Sequence, residues 1–166
     1  MTGQLSRIAE TMHTHQESLM QQWADQQYAL ARSARSSRVE IESEGRQFLT
    51  RMIAAARNDT PVDLNAPAWE PVRELLNELS ETRAKRGLSA QETAAFVFGL
   101  KKPLFAALRQ DSGGDAQKLA DDVLASSDML DTLGLFTFEA FQKSREAIIS
   151  RQQQELMELS TPVVRL

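Results

Sequence analysis

Apolar residues recur along this chain at intervals of three and four, and a clean apolar/polar alternation is absent, so the elements it encodes are helices. Leu5, Ile8, Met12, His15, Leu19, Trp23 and Leu30 form one stripe of a first helix, expected over about Gln4 to Ser33. Ser36 and Ser37 mark a break, after which a second helix buries Ile41, Phe48, Leu49, Met52, Ile53 and Ala56. Asn58-Asp-Thr-Pro61 and Asn65-Ala-Pro67 read as loop. A third helix carries Trp69, Val72, Leu75, Leu76 and Leu79 and stops at Arg86-Gly87, where glycine suits the left-handed position after a helix end. Ser89-Ala-Gln-Glu92 then has the spacing of a capping box. The fourth helix runs to about Arg109. With Phe96, Val97, Phe98, Leu100, Leu104, Phe105 and Leu108 it is expected to be the central, most buried one. Pro103 lacks an N–H and its ring would clash with the carbonyl of Gly99, which predicts a kink.

Ser112-Gly-Gly-Asp115 reads as a surface turn, since it has neither the spacing nor the lysine of a phosphate loop. A fifth helix carries Leu119, Val123 and Leu124. The final helix begins between Asp128 and Thr137, with Gly134 as a separator, and runs to about Leu159. Ser160-Thr-Pro162 should end it, and Val163-Val164 favours an extended chain. A strand needs ladder partners, so these last residues are expected to open a following β-containing domain, with the final helix as connector. The fold class is therefore all-α: five to six helices, in a globin-like or helical-bundle packing, with a long C-terminal linker helix. Residues 1–137 form the helical domain, 138–159 the linker helix, and 160–166 the start of a truncated further domain.

Composition narrows the function. Apolar residues make up 42% of the 166 and charged residues 25%, an ordinary balance for a globular domain. A net charge of −4 argues against a nucleic-acid surface. The absence of cysteine removes disulfides, thiolate metal sites and cysteine nucleophiles. The stretch Thr93 to Leu100 is too short to span a bilayer, and Met1-Thr-Gly-Gln-Leu-Ser-Arg7 lacks a secretion signal's apolar core, which together give a cytoplasmic expectation.

Candidate chemistry is sparse. His13 points away from the first stripe; His15 lies on it and could face a pocket. A haem ligand at His15 is the weaker reading, because globin-type haem proteins take their proximal histidine from a later helix and no later histidine exists. No cofactor or metal is assigned. Glu40, Glu42 and Glu44 read as a solvated helix start, and Phe96, Leu100 and Leu104 as core in preference to a pocket lining. A helix-turn-helix DNA reader around Arg86-Gly-Leu-Ser89 is disfavoured, since its second helix would present Phe96, Val97 and Phe98 where polar base contacts belong. No nucleophile elbow or metal-binding histidine pair is present, so an enzyme is not expected.

Two stretches carry a family resemblance. The run Thr82-Arg-Ala-Lys-Arg-Gly-Leu-Ser-Ala-Gln-Glu-Thr-Ala-Ala-Phe-Val-Phe-Gly-Leu-Lys101 resembles the N-terminal domain of RsbR-type proteins, the RsbT co-antagonists of the bacterial stressosome. The tail Arg145-Glu-Ala-Ile-Ile-Ser-Arg-Gln-Gln-Gln-Glu-Leu-Met-Glu-Leu-Ser-Thr-Pro-Val-Val164 resembles their linker into a C-terminal STAS domain, and Trp23 near the end of an opening helix also fits. The resemblance implies a non-enzymatic sensory module whose helical, often globin-like domains dimerise above a scaffold of STAS domains that holds a serine/threonine kinase. The implied partners are a second copy, other stressosome STAS proteins and an RsbT-like kinase; phosphorylated residues would lie beyond Leu166.

The last helix agrees with that implication on its own pattern. Phe141, Arg145, Ile148, Gln152, Leu156 and Leu159 fall near one face, a seam able to pair with its copy in a parallel coiled coil. Of these, Phe141, Ile148, Gln152, Leu156 and Leu159 are the expected dimer and signal residues. Phe138 and Phe141 lie close enough to the domain to pack on it, whereas from Ile148 onward little of the domain remains to cover the face. Arg145 and Gln152 weaken such a seam while fixing its register.

Overall fold

The computed structural model describes residues 3–30, 37–59 and 61–164, with side chains to residue 160. Among the described residues every regular element is helical: α1 (Gln4–Thr14), α2 (Gln16–Leu30), α3 (Arg38–Ala56), a 3-10 turn (Pro67–Trp69), α4 (Glu70–Lys85), α5 (Ala90–Phe98), α6 (Lys101–Asp111) and α7 (Ala116–Val164). The fold is all-α with a long C-terminal helix, as the periodicity requires. One core joins these elements. α3 packs on α1, α2 and α4, while α7 packs on α1, α4, α5 and α6.

Several boundaries follow the sequence signals. Gly87 has φ 75°, the left-handed value expected after α4. Ser89 and Glu92 complete the capping box, each side chain accepting from the other residue's backbone N–H, at 3.0 and 3.3 Å. Ser37 caps α3 by accepting from the Glu40 N–H; Ser36 lies outside the described residues. Gly113 and Gly114 both have positive φ in the turn before α7.

Other boundaries differ, each for a local reason. The first helix is divided at His15, whose N–H reaches Thr11 while its φ of −101° departs from helical values, giving α1 and α2. Leu30, placed on the first stripe, is exposed; Ser33 is outside the described residues. Pro103 produces a full break instead of a kink. The chain leaves α5 at Gly99 and restarts at Lys101, so that Pro103 sits in the first turn of α6, where a missing N–H leaves no helical bond unmade. The Leu100 N–H turns back to the Val97 carbonyl, and the Phe96 carbonyl is taken up by the Trp23 indole N–H at 2.8 Å.

The fifth and last helices of the sequence reading are one helix, α7, which packs on α1, α4, α5 and α6, so the fourth is not the single central helix. Gly134 does not separate segments. It is buried within α7, where a Cβ would stand 2.3 Å from a Phe98 ring carbon, so glycine here admits a neighbouring ring. Helical backbone also continues through Pro162 to Val164, where an extended chain was expected. Proline lacks the N–H that would bond Glu158, yet among the described residues no strand offers Val163-Val164 a ladder, so the helix is the conformation in which these backbone groups find partners.

Candidate functional site: the outer face of the last helix

α7 is held through its first half by a mixed apolar and polar inner face. Met129, Leu130, Leu133, Thr137, Ala140 and Phe141 are buried. Ser80 of α4, fully buried, places its hydroxyl 2.7 Å from the Leu76 carbonyl and 3.2 Å from the Thr137 carbonyl, crossing to α7. Asp122 accepts from Gln4 and Arg7 of α1 at 3.3 and 3.4 Å. Lys101 at the start of α6 pairs with Asp131 at 2.6 Å while lying over the Phe98 ring. Four elements therefore fix the position of α7 within the domain.

The helix then leaves the domain. The exit is a cleft of about 390 Å³ between α4 and α7, lined by Glu81, Lys85, Ser144, Ala147, Ile148 and Arg151. Ile148 is half-buried there, and every residue from 151 to 160 is exposed.

Phe141, one of the expected seam residues, lies in the domain's own core at 1% exposure, as its nearness to the domain suggested. Phe138, expected to pack likewise, is instead 42% exposed and points outward. Gln152, Leu156 and Leu159 are all exposed. Phe141 is buried and Ile148 half-buried, and the outward large apolar residues of α7 are Leu124, Leu135, Phe138, Ile149, Leu156, Met157 and Leu159. The signal that separates the two faces is the exposed Phe138–Ile149 pair, eleven residues and close to three turns apart.

The stretch Thr82–Lys101 builds a clamp beside α7. Arg83 pairs with Glu44 of α3 at 3.3 Å, with both side chains largely covered, and lies over the Phe96 ring at 5.0 Å. Arg86 pairs with Glu40 at 3.2 Å. Glu44 is therefore docked against the end of α4, whereas Glu40 and Glu42 stay on the solvated start of α3, their pairs with Arg86 and Arg38 lying at the surface. Phe96 stands edge-on to Trp23, with ring centres 4.9 Å apart. Hydrogen bonds from Arg38 to Asp25 and then to Glu42 raise its guanidinium above the ordinary arginine value.

His13 is exposed. His15 places Nε2 2.8 Å from Asp111 Oδ1 at the end of α6. Phe96, Leu100 and Leu104 are core. Among the described residues no helix is long and apolar enough to cross a membrane.

Together these features define an all-helical domain organised on one helix that begins in the core and ends as a projecting rod. Residues 17–156, well over half of the chain, match the RsbT co-antagonist protein rsbRD N-terminal domain family, and the chain belongs to that family. It is a stressosome-associated regulatory N-terminal domain, of a family of regulatory domains and not of known enzymes. The matched span holds all of Thr82–Lys101 and the tail as far as Leu156. No curated protein and no solved structure matches the chain.

Proposed function

We propose that this chain is the sensory module of a bacterial stressosome scaffold protein, and that it relays a stress signal through its paired last helix to a C-terminal STAS domain controlling a serine/threonine kinase. The observation that carries this reading is the double character of α7. Its first half is fixed by α1, α4, α5 and α6, and its last turns, residues 151–160, are exposed on every side. A rod of that kind converts a small displacement in the domain into a displacement at its far end, because a helix is stiff along its axis and packed helices move as units. Leu156 and Leu159 stay exposed on this rod, and pairing with a second copy would cover them. The partners are then a second copy of this chain, other stressosome STAS proteins and an RsbT-like kinase, in the cytoplasm. The domain itself performs no chemistry in this reading.

The relay is tested by changing helical phase in the protein that carries the STAS domain. Inserting seven residues after Ser150 keeps the face of the rod in phase, and inserting two turns it by about half a revolution. Retained kinase control with seven and lost control with two is expected; equal control with both contradicts a mechanical relay.

A further inference from the structure

We infer that the cleft between the start of α1, the chain just after α3 and the first half of α7 binds a small organic cation, an alkyl body ending in an ammonium or guanidinium group. This goes beyond the relay proposed above and does not rest on it.

The cleft has a volume of about 430 Å³, which is in the range of small-molecule sites. Its floor is apolar, made by Leu5 of α1, Val62, and Ala125 and Met129 of α7. Met129 is buried and the other three are half-buried, so an alkyl chain laid here covers apolar surface that folding has left partly open. At the rim, Asp59, Asp128 and Thr132 are exposed and Gln4 is half-buried.

Hydrogen-bond bookkeeping at that rim selects the ligand. Among the described residues that line the cleft, both charged ones are carboxylates and none is a lysine, arginine or histidine. Asp59 accepts from the Ser6 N–H through Oδ1 at 3.2 Å, which holds its carboxylate in place. The Asp128 carboxylate has no hydrogen bond or ion pair among the described residues. The Thr132 hydroxyl donates to the Asp128 carbonyl at 2.9 Å, so toward a ligand it can only accept. Gln4 turns its amide nitrogen to Asp122 at 3.3 Å and keeps an unpartnered carbonyl oxygen. Arg7, the cation of α1 beyond Gln4, is also directed at Asp122, at 3.4 Å, and does not line the cleft. The rim is therefore rich in acceptors with no cation to answer them, and the complementary ligand brings positive charge and N–H donors. An anion would meet two like charges. A bare metal ion fits poorly, because among the described residues no three histidine, cysteine or carboxylate side chains are grouped to hold one, and an apolar floor gives it no ligands.

Titration of the isotope-labelled chain with n-hexylammonium, followed by amide NMR shifts, tests the site. Saturable shifts are expected at Leu5, Val62, Ala125 and Met129, and n-hexylguanidinium should reproduce them. Hexanoate, with the same chain length and the opposite charge, should leave these amides unmoved. n-Hexyltrimethylammonium keeps the charge but has no N–H to donate, and should bind at least about tenfold more weakly. Asp128→Asn alters an exposed, unpartnered carboxylate, so the thermal transition should be retained while n-hexylammonium binding weakens by about tenfold. Absence of shifts with n-hexylammonium overturns the proposal. So do equal shifts with hexanoate, which would mark a merely apolar patch, and equal affinity for the trimethylammonium probe, which would remove the acceptor rim. Unchanged n-hexylammonium affinity in a folded Asp128→Asn overturns it as well. None of these results bears on the phase test of the relay.

Discussion

Gly45→Ala tests whether the Trp23–Phe96 junction is as tightly held as its contacts indicate. Gly45 is buried on α3, and a Cβ there would stand 2.3, 2.7 and 2.9 Å from three carbons of the Trp23 ring. That ring has little freedom to retreat. Its N–H bonds the Phe96 carbonyl at 2.8 Å, its edge meets the Phe96 ring, and Phe96 in turn rests on Phe48 and under Arg83. Alanine gains about 1 kcal/mol over glycine in a helix interior. Forcing a methyl into a filled core costs about 1–3 kcal/mol, and the upper part of that range applies where the neighbour is pinned. The net expectation is a loss of about 1–2 kcal/mol, or about 2–8 °C in Tm for a domain of this size. Urea unfolding followed by circular dichroism gives the value, and repeating the substitution in a Trp23→Leu background separates the clash from other effects. There the alanine should become neutral or stabilising by about 1 kcal/mol, the propensity term alone. An equal or greater stability of Gly45→Ala in the wild-type background would refute the reasoning, because it would mean that the indole moves freely.

Trp23→Phe keeps most of the ring but strands the Phe96 carbonyl, and should cost about 1–3 kcal/mol in the same unfolding assay. Ser89→Ala removes one half of the capping box and should cost about 1 kcal/mol, with Ser89→Asp retaining most of the stability. Arg83→Met should cost about 1–3 kcal/mol, since it leaves Glu44 partly covered and removes the cation from Phe96. Arg46→Met, whose pair with Glu17 is exposed, should change stability by less than about 1 kcal/mol. Gly134→Ala should be milder than Gly45→Ala by thermal unfolding, because the half-exposed Phe98 ring can swing away from the added methyl.

Much of this was legible in the residues. The stripes of three and four gave the helices, and Gly87, Ser89 and Glu92 marked the α4–α5 turn by local backbone chemistry that needs no tertiary context. What escaped depends on neighbours distant in sequence. Gly134 reads as a helix break until Phe98 is seen lying across it. Glu44 reads as part of a solvated helix start until Arg83 arrives from the end of α4, while Glu40 remains exposed as that reading has it. Pro103 announced an interruption, but its position in the first turn of α6 is set by where the Phe96 carbonyl meets Trp23. For the candidate site, Gln152, Leu156 and Leu159 are exposed at the end of α7, while Phe141 is buried and Ile148 half-buried. Adjacent apolar stripes on one helix differ by a fraction of a turn, and only burial tells which one the domain has already used.

Hydrogen exchange across residues 149–160, measured at several protein concentrations, probes the paired rod most directly. Slow exchange at high concentration that accelerates on dilution is the result expected of a helix stabilised by its copy. Fast exchange at every concentration, or protection indifferent to dilution, would contradict it.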